Sequence, residues 1–135
     1  MTNAGTYIAS RALPQRATTW RRLRDADGWK ITSTWIDEAG EGETADLSAL
    51  WVRIAEEISR SERLILYVEP DDFPLKGALI EVGVAIAHLI PIRVVAPGVT
   101  LDPVSFRPIG SWVKHPLVTF AETMEGALVG TSVNM

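Results

Sequence analysis

The stretch that decides the fold is Arg63-Leu-Ile-Leu-Tyr-Val68, followed by Glu69–Pro74, Gly77–Leu89 and Pro91-Ile-Arg-Val-Val-Ala96. The first and last pieces are short apolar runs, which is typical of strands that are covered on both faces. Glu69–Pro74 contains two prolines, so we predict an irregular connection there. Gly77–Leu89 is almost wholly apolar and predicts a helix that is buried all round. A strand, a helix and a second strand in this order are typical of a parallel pair joined by a crossover helix.

The same alternation continues towards the N-terminus. We predict a first strand at Thr6–Ala9 and a helix from Pro14 to about Asp25, because proline suits the first turn of a helix. Asp27-Gly28 then provides the helix stop. Trp29–Ile36 is rich in β-branched and aromatic residues, so we predict a second strand there.

A loop at Gly40–Thr44 leads into a helix that starts near Asp46. Its apolar residues recur at helical spacing, at Leu47, Leu50, Trp51, Ile54 and Ile58. Near the C-terminus, either Ser111–Val113 or Leu117–Phe120 is a candidate fifth strand. Ala121–Val129 is a closing helix, which Gly130 ends. Strands that alternate with helices predict an α/β fold with a parallel sheet of four to five strands and helices on both faces.

Length and composition set limits on function. The chain has 135 residues, which suits one domain over residues 1–135, and we expect residues 1–5 and 131–135 to be flexible. The absence of cysteine excludes disulfides, thiolate metal sites and a thiol nucleophile. Two isolated histidines give no basis for a metal site, and no cofactor is expected.

The net charge and the hydropathy pattern bear on partners and on location. A net charge of -4 argues against binding to a nucleic acid polymer, which requires a basic surface. Four arginines, Arg16, Arg21, Arg22 and Arg24, share one predicted helix, where the ordinary interpretation is a solvated surface. No apolar run is long enough to span a membrane and no signal-peptide pattern is present, so we expect a cytoplasmic protein without membrane contact.

Carboxylates are frequent where the predicted strands end. In open parallel sheets, ligands bind beyond the carboxyl ends of the strands. The corresponding pieces here are Ser10-Arg11, Trp35-Ile36-Asp37, Glu69-Pro70-Asp71-Asp72 and Pro97-Gly98. Aspartate and glutamate also favour turns and helix starts for local reasons, so the pattern has an ordinary explanation as well.

Glu81 is the strongest functional candidate. It is the only ionisable side chain between Lys76 and His88, and a carboxylate in an apolar helix is costly to bury unless it is paired or functional. It lies about one turn from the helix start, where the helix dipole favours an anion. Gly77 would let a ligand approach that start closely, and Gly83 would let the helix pack tightly on a strand. The alternative is a glutamate that faces solvent or pairs with an arginine.

The segment Gly77-x-x-x-Glu81-x-Gly83-x-Ala85, between the two central strands, resembles the nucleoside 2-deoxyribosyltransferase family and its relatives. Tyr7-Ile8-Ala9-Ser10 is similar to the first strand and following loop of that family. The resemblance covers roughly Thr6–Gly98 and implies a flavodoxin-like sheet and a homo-oligomer. Family members often complete a site with residues near a neighbour's chain end, which would give the tail Thr131–Met135 a role.

The resemblance also implies a chemistry. In that family a glutamate attacks the anomeric carbon of a 2′-deoxynucleoside, the base leaves, and a second base or water attacks the glycosyl–enzyme. By this comparison Glu81 is the nucleophile, and Tyr7 and the loop Ala9–Arg11 lie near the sugar or base. The family usually has an aspartate shortly before the nucleophile. Here the carboxylates stand nine to twelve positions upstream, and Asp72 is our candidate for the acid or sugar-hydroxyl ligand.

Several other residues have two interpretations. Trp35 and Asp37 either stack on a base and bind its polar edge, or pack against the sheet and start a turn. Arg11 either meets the phosphate of a nucleotide or is a surface arginine. Glu69, Asp71 and Gly77 complete the expected substrate-binding set.

The sequence supports two functions of different classes. The first is an enzyme that cleaves or transfers the N-glycosidic bond of a (2′-deoxy)nucleoside or nucleotide. The alternative is a non-catalytic nucleotide-binding sensor or sponge on the same fold. A third reading, an interaction domain in which Glu81 has no function, predicts no ligand at all.

Overall fold

The computed structural model describes residues 5–39 and 46–129. Its strands and α-helices follow in this order along the chain: β1 (Thr6–Ala9), α1 (Pro14–Asp25), α2 (Leu47–Ser59), β2 (Arg63–Tyr67), α3 (Gly77–Ala87), β3 (Ile92–Val95), β4 (Val118–Phe120) and α4 (Met124–Val129). The predictions for residues 1–4, for the loop Gly40–Thr44 and for the chain after residue 129 fall outside the described residues.

The sheet is all parallel, in the order β1-β2-β3-β4. Its register places Tyr7 beside Leu64, Leu64 beside Ile92 and Ile92 beside Val118. On the free edge of β1, Ile31 forms a single parallel bridge with Thr6. The chain therefore crosses from one side of β1 to the other between Ile31 and β2, as in a flavodoxin-like fold. The predicted α/β class is confirmed.

The predicted second strand at Trp29–Ile36 is wrong beyond that bridge. Thr6 pairs with the backbone of Lys30 and Thr32, but the next positions of the ladder are taken by side chains. The backbone N–H of Ile8 donates to the Ser33 hydroxyl at 3.1 Å, and the indole N–H of Trp35 donates to the Ile8 carbonyl at 2.8 Å. Because side chains satisfy Ile8, the segment turns instead into a short 3₁₀ helix at Thr34–Asp37.

Helices cover both faces of the sheet. Tyr7 faces α3, where it interacts with Glu81, and α2 packs beside α3 on the same face. Tyr67 faces the other way, because it lies three positions after Leu64, the neighbour of Tyr7. On that second face Trp20 of α1 packs edge-on against Tyr67 with ring centroids 5.1 Å apart. A carbonyl of α4 accepts from Arg93, whose strand neighbour Ile65 is on the Tyr67 face.

The prediction that the apolar helix is buried all round is wrong. Only one face of α3 is buried, and its members are Ala78, Glu81, Val82 and Ala85. Leu79 and Ile80 are exposed, Ile80 by 59%. Gly83 also faces outwards, and a Cβ built on it meets no atom within 4 Å, so it does not serve close packing on a strand. The helix ends at Ala87, shortly before Leu89 adopts a positive φ of 58°.

The C-terminal alternatives are resolved in favour of the later segment. Val118–Phe120 pairs with β3, whereas Ser111–Lys114 is a 3₁₀ turn. Helix α4 starts at Met124 and not at Ala121, because the hydroxyl of Thr123 accepts from the backbone N–H of Gly126 at 3.0 Å and caps the first turn. Within residues 5–39 and 46–129, no helix has the length and apolar character that a membrane crossing needs.

Candidate functional site

A cavity of about 490 Å³ opens where β1 and β2 end. Its size is in the usual range for pockets that hold small molecules. Its walls come from the loop after β1, the loop after β2, the start of α3 and one side of α2. The residues around it are Ser10, Arg11, Ala12, Trp35, Leu50, Trp51, Ile54, Asp71, Asp72, Phe73, Pro74, Leu75, Lys76, Gly77, Ala78 and Glu81. This is the carboxyl-end position at which ligands bind in open parallel sheets.

Glu81 is part of the wall and is deeply placed. It belongs to the buried face of α3 and is only 8% exposed. The carboxyl group makes no ion pair and no hydrogen bond of ordinary geometry with any residue in the described ranges. The interpretation of Glu81 as a solvent-facing or arginine-paired side chain is therefore wrong. A buried carboxyl without a charged partner is unusual in a folded protein and is typical of functional sites.

Burial controls the protonation of Glu81. Desolvation raises the pKa of Glu81 to about 8, and the Tyr7 hydroxyl acts in the opposite direction by stabilising the carboxylate. The same surroundings raise the pKa of Tyr7, through burial first and then through Glu81. No hydrogen bond of ordinary geometry joins the two groups, so the Tyr7 hydroxyl has no full partner among the described residues. Tyr7 is fully buried and is not among the residues that line the cavity.

The start of α3 is open towards the cavity. No side chain caps it, and its first turn has no acidic residue. A Cβ built on Gly77 would lie 3.3 Å from the indole of Trp51 and 3.8 Å from Oε2 of Glu81. Gly77 therefore keeps space between the nearest indole and the carboxyl. The uncapped N–H groups and the helix dipole favour negative charge at this place.

Asp72 is held in place by two donors. Its Oδ2 accepts from Nη1 of Arg16 at 2.6 Å and from the backbone N–H of Glu69 at 2.7 Å. Both partners donate to this one carboxylate oxygen. These bonds fix the position of the Asp72 side chain at the cavity. Arg16, one of the four arginines on α1, thus holds the loop after β2 through Asp72.

A second cavity, of about 550 Å³, lies on the α1 side of the same loops. It shares Arg11, Asp71 and Asp72 with the first cavity. Glu69 lies in this second cavity and not in the first one. There it pairs with Arg16 at 3.1 Å and accepts a hydrogen bond from the Tyr67 hydroxyl.

The loop after β1 contributes Ser10 and Arg11 to the Glu81 cavity, whereas Ala9 is fully buried in the sheet. The hydroxyl of Ser10 accepts from the indole N–H of Trp20 at 3.0 Å, which ties the loop to α1. Arg11 is exposed.

Trp35 and Asp37, which are two residues apart in the sequence, lie in different places relative to the cavity. Trp35 lines the cavity while its indole N–H is bound to Ile8, so only its ring surface is available to a ligand. Asp37 lies outside the cavity, where both of its carboxylate oxygens accept from Arg24 at 2.9 Å. This pairing lowers the pKa of Asp37.

The sequence reasoning missed three residues of this region. Trp51 belongs to the apolar stripe predicted for α2, and its indole lies against Gly77 at the cavity. Lys76 lies at the cavity rim. Glu57 is buried on α2, accepts from the backbone N–H of Thr34 at 3.0 Å, and contributes to the raised pKa of Tyr7. A charged residue on the apolar side of a helix was the available signal for Glu57.

No group of three or more metal-ligating side chains occurs within the described part of the chain. Comparisons of the chain with protein-family models, with curated proteins and with solved structures return no match. These comparisons therefore assign no function to the chain.

Proposed function

We propose that this protein cleaves or transfers the N-glycosidic bond of a (2′-deoxy)nucleoside or nucleotide, with Glu81 as the nucleophile. The observation that carries the proposal is the Glu81 carboxyl, 8% exposed and without a charged partner among the described residues, in the wall of a cavity of nucleoside size. Trp35 and Trp51 offer ring surface for a base. The resemblance of Gly77-x-x-x-Glu81-x-Gly83-x-Ala85 to the nucleoside 2-deoxyribosyltransferase family supports the same assignment.

The proposed reaction has two steps. In the first, the ionised Glu81 carboxylate forms a bond to the anomeric carbon while the bond from that carbon to the base breaks. The electron pair of the broken bond leaves with the base, which takes up a proton. In the second step, water or another base attacks the same carbon, gives up a proton and releases Glu81. This sequence is the double displacement of retaining glycosidases.

The burial of Glu81 fits this chemistry. Positive charge develops on the sugar in the transition state and stabilises a nearby carboxylate. A carboxylate that water solvates poorly gains more from this charge than an exposed one does, because the local dielectric constant is low. The interaction is therefore stronger in the transition state than in the empty site, which is the condition for catalysis.

A binding protein without turnover is the second candidate. Asp72 is the closest sequence candidate for the acid, yet its Oδ2 is occupied by Arg16 and by the Glu69 backbone. Besides Glu81 and Asp72, the only carboxylate at the cavity among the described residues is Asp71, which is exposed. A site that binds a nucleotide but lacks a proton donor for the departing base would act as a sensor or sponge.

The test is incubation of the purified protein with 2′-deoxynucleosides and their 5′-monophosphates, with and without an added base. Products are separated by liquid chromatography, and Glu81→Gln is run beside the wild type. Glu56→Gln is the matched control, because Glu56 is an exposed carboxylate outside the cavity. We expect base release or exchange with the wild type and with Glu56→Gln, and none with Glu81→Gln.

Mass spectrometry of acid-quenched protein tests the covalent step. A mass gain of one deoxyribosyl group in the wild type, absent from Glu81→Gln, supports the nucleophile. Activity that survives in Glu81→Gln would reject Glu81 as the nucleophile. Tight nucleotide binding without any product, at high protein concentration, would reject the enzyme and leave the binding protein.

A further inference from the structure

Two positively charged side chains at the Glu81 cavity have no acidic or hydrogen-bonding partner among the described residues. Arg11 and Lys76 both line it, and neither side chain makes a hydrogen bond or an ion pair with any residue of ranges 5–39 and 46–129. Other arginines nearby are engaged: Arg16 pairs with Asp72, Arg24 with Asp37 and Arg53 with Glu38. The side chains of Arg11 and Lys76 are therefore available to an anionic ligand at the cavity.

The backbone adds to the positive character of the same place. Helix α3 has eleven residues, and its start, at Gly77 and Ala78, lies in the cavity wall without a side-chain cap. Helix α2, in contrast, is capped by Asp46, which accepts from the Ala49 N–H at 3.0 Å. Glu81, buried in the same wall without a charged partner among the described residues, independently indicates that a ligand completes this site.

The carboxylates of the cavity do not cancel these cations. Asp72 is neutralised by Arg16. Glu81 has a pKa of about 8 and is therefore mostly uncharged at pH 7 in the empty cavity. Asp71 remains as one negative charge against the two positive charges of Arg11 and Lys76. The empty cavity thus has a positive balance that suits an anionic ligand.

The cavity has a buried part and an exposed rim. Glu81 is deep, whereas Arg11 and Lys76 are exposed at the rim. In a nucleotide the anomeric carbon and the 5′-phosphate are separated by the sugar. A sugar placed at Glu81 therefore directs its 5′ substituent away from that carboxyl. Building on the proposed function, we propose that the ligand is a nucleoside 5′-phosphate whose phosphate is bound by Arg11 and Lys76.

Calorimetric binding to Glu81→Gln tests the proposal without any need for turnover. The ligands are 2′-deoxynucleosides, their 5′-monophosphates and inorganic phosphate, each at low and at high salt. We expect at least one monophosphate to bind about tenfold or more tightly than its nucleoside, since hydrogen bonds to charged groups are among the stronger ones. The difference in affinity between monophosphate and nucleoside should decrease as the salt concentration rises. Equal affinity for nucleoside and monophosphate would overturn the proposal.

Substitutions on the same background locate the phosphate. Arg11→Ala and Lys76→Ala should each remove roughly tenfold of the monophosphate affinity and leave nucleoside affinity unchanged. Arg22→Ala and Lys30→Ala are the matched controls, since both residues are exposed and lie outside this cavity. Equal losses in the controls, or inorganic phosphate binding as tightly as the monophosphate, would overturn the assignment. Turnover of nucleosides by the wild type would still stand as support for the proposed reaction.

Discussion

Nη1 of Arg16 lies 2.6 Å from Oδ2 of Asp72, and the two side chains are only 9% and 1% exposed. The pair connects α1 to the loop after β2, and Arg16 also lies over the ring of Tyr67, 5.1 Å from its centroid. One ion pair thus holds the wall shared by the two cavities. Because both charges are withdrawn from water, each depends on the other.

Arg16→Met should destabilise the protein by about 3 kcal/mol, because it leaves the buried Asp72 carboxylate without its partner. Urea unfolding of the variant measures the change. The double variant Arg16→Met with Asp72→Asn should recover part of that loss, since it removes the unpaired charge as well. Strictly additive losses in the double variant would show that the two side chains do not stabilise each other.

Glu81→Gln should make the protein more stable at alkaline pH. The pKa of Glu81 is about 8 in the folded protein and near 4.5 in the unfolded chain. Between these values the unfolded chain loses its proton first, so the stability of the wild type falls as pH rises and levels off above about pH 8. A glutamine side chain does not titrate in this pH range, so it makes no such contribution. At about 1.4 kcal/mol per pKa unit, the variant should gain roughly 3 to 5 kcal/mol over the wild type at pH 9.

Unfolding curves of the wild type and of Glu81→Gln at pH 5, 7 and 9 measure this difference. The gap between the two proteins should widen from pH 5 to pH 9. A gap that does not change with pH would mean that Glu81 is not protonated in the folded protein at neutral pH. Glu56→Gln, an exposed carboxylate, serves as the comparison.

The pH profile of kcat/KM distinguishes a nucleophile from an acid. An ionised Glu81 is required for attack, so kcat/KM should rise with pH and level off above about pH 8. A profile that falls through the same range would instead identify Glu81 as a proton donor. Tyr7→Phe removes the hydroxyl that stabilises the carboxylate and should move the rise to higher pH.

Two glycines of α3 should respond in opposite ways to alanine. At Gly77 the new methyl would lie 3.3 Å from Trp51 and 3.8 Å from the Glu81 carboxyl, so Gly77→Ala should weaken ligand binding about tenfold or more. At Gly83 the methyl meets nothing within 4 Å, and alanine should stabilise the helix by roughly 0.5 to 1 kcal/mol. Thermal unfolding and calorimetric binding of both variants check this pair. Unchanged ligand binding in Gly77→Ala would place the ligand elsewhere.

Much of the fold was determined by the sequence alone. Short apolar runs that alternate with helical periods predicted β1, α1, β2, α3 and β3 with ends within two residues of those observed, and the start of α2 within one residue. These signals are local, because strand and helix periods act over a few neighbouring residues. The prominence of Glu81 was local as well, since a single charge stands out in an apolar helix.

Only the tertiary structure decided which polar groups of different elements form hydrogen bonds with each other and which side chains are buried. The segment Trp29–Ile36 has the composition of a strand, yet Ser33 and Trp35 bind Ile8 with their side chains and end the ladder. Likewise, the apolar length of α3 did not reveal that Ile80 stays exposed while Glu81 is buried. Hydrogen bonds and burial between distant residues depend on which surfaces meet, and this information is absent from local periodicity. The ion pair of Arg16 with Asp72, separated by 56 positions, arises in the same way.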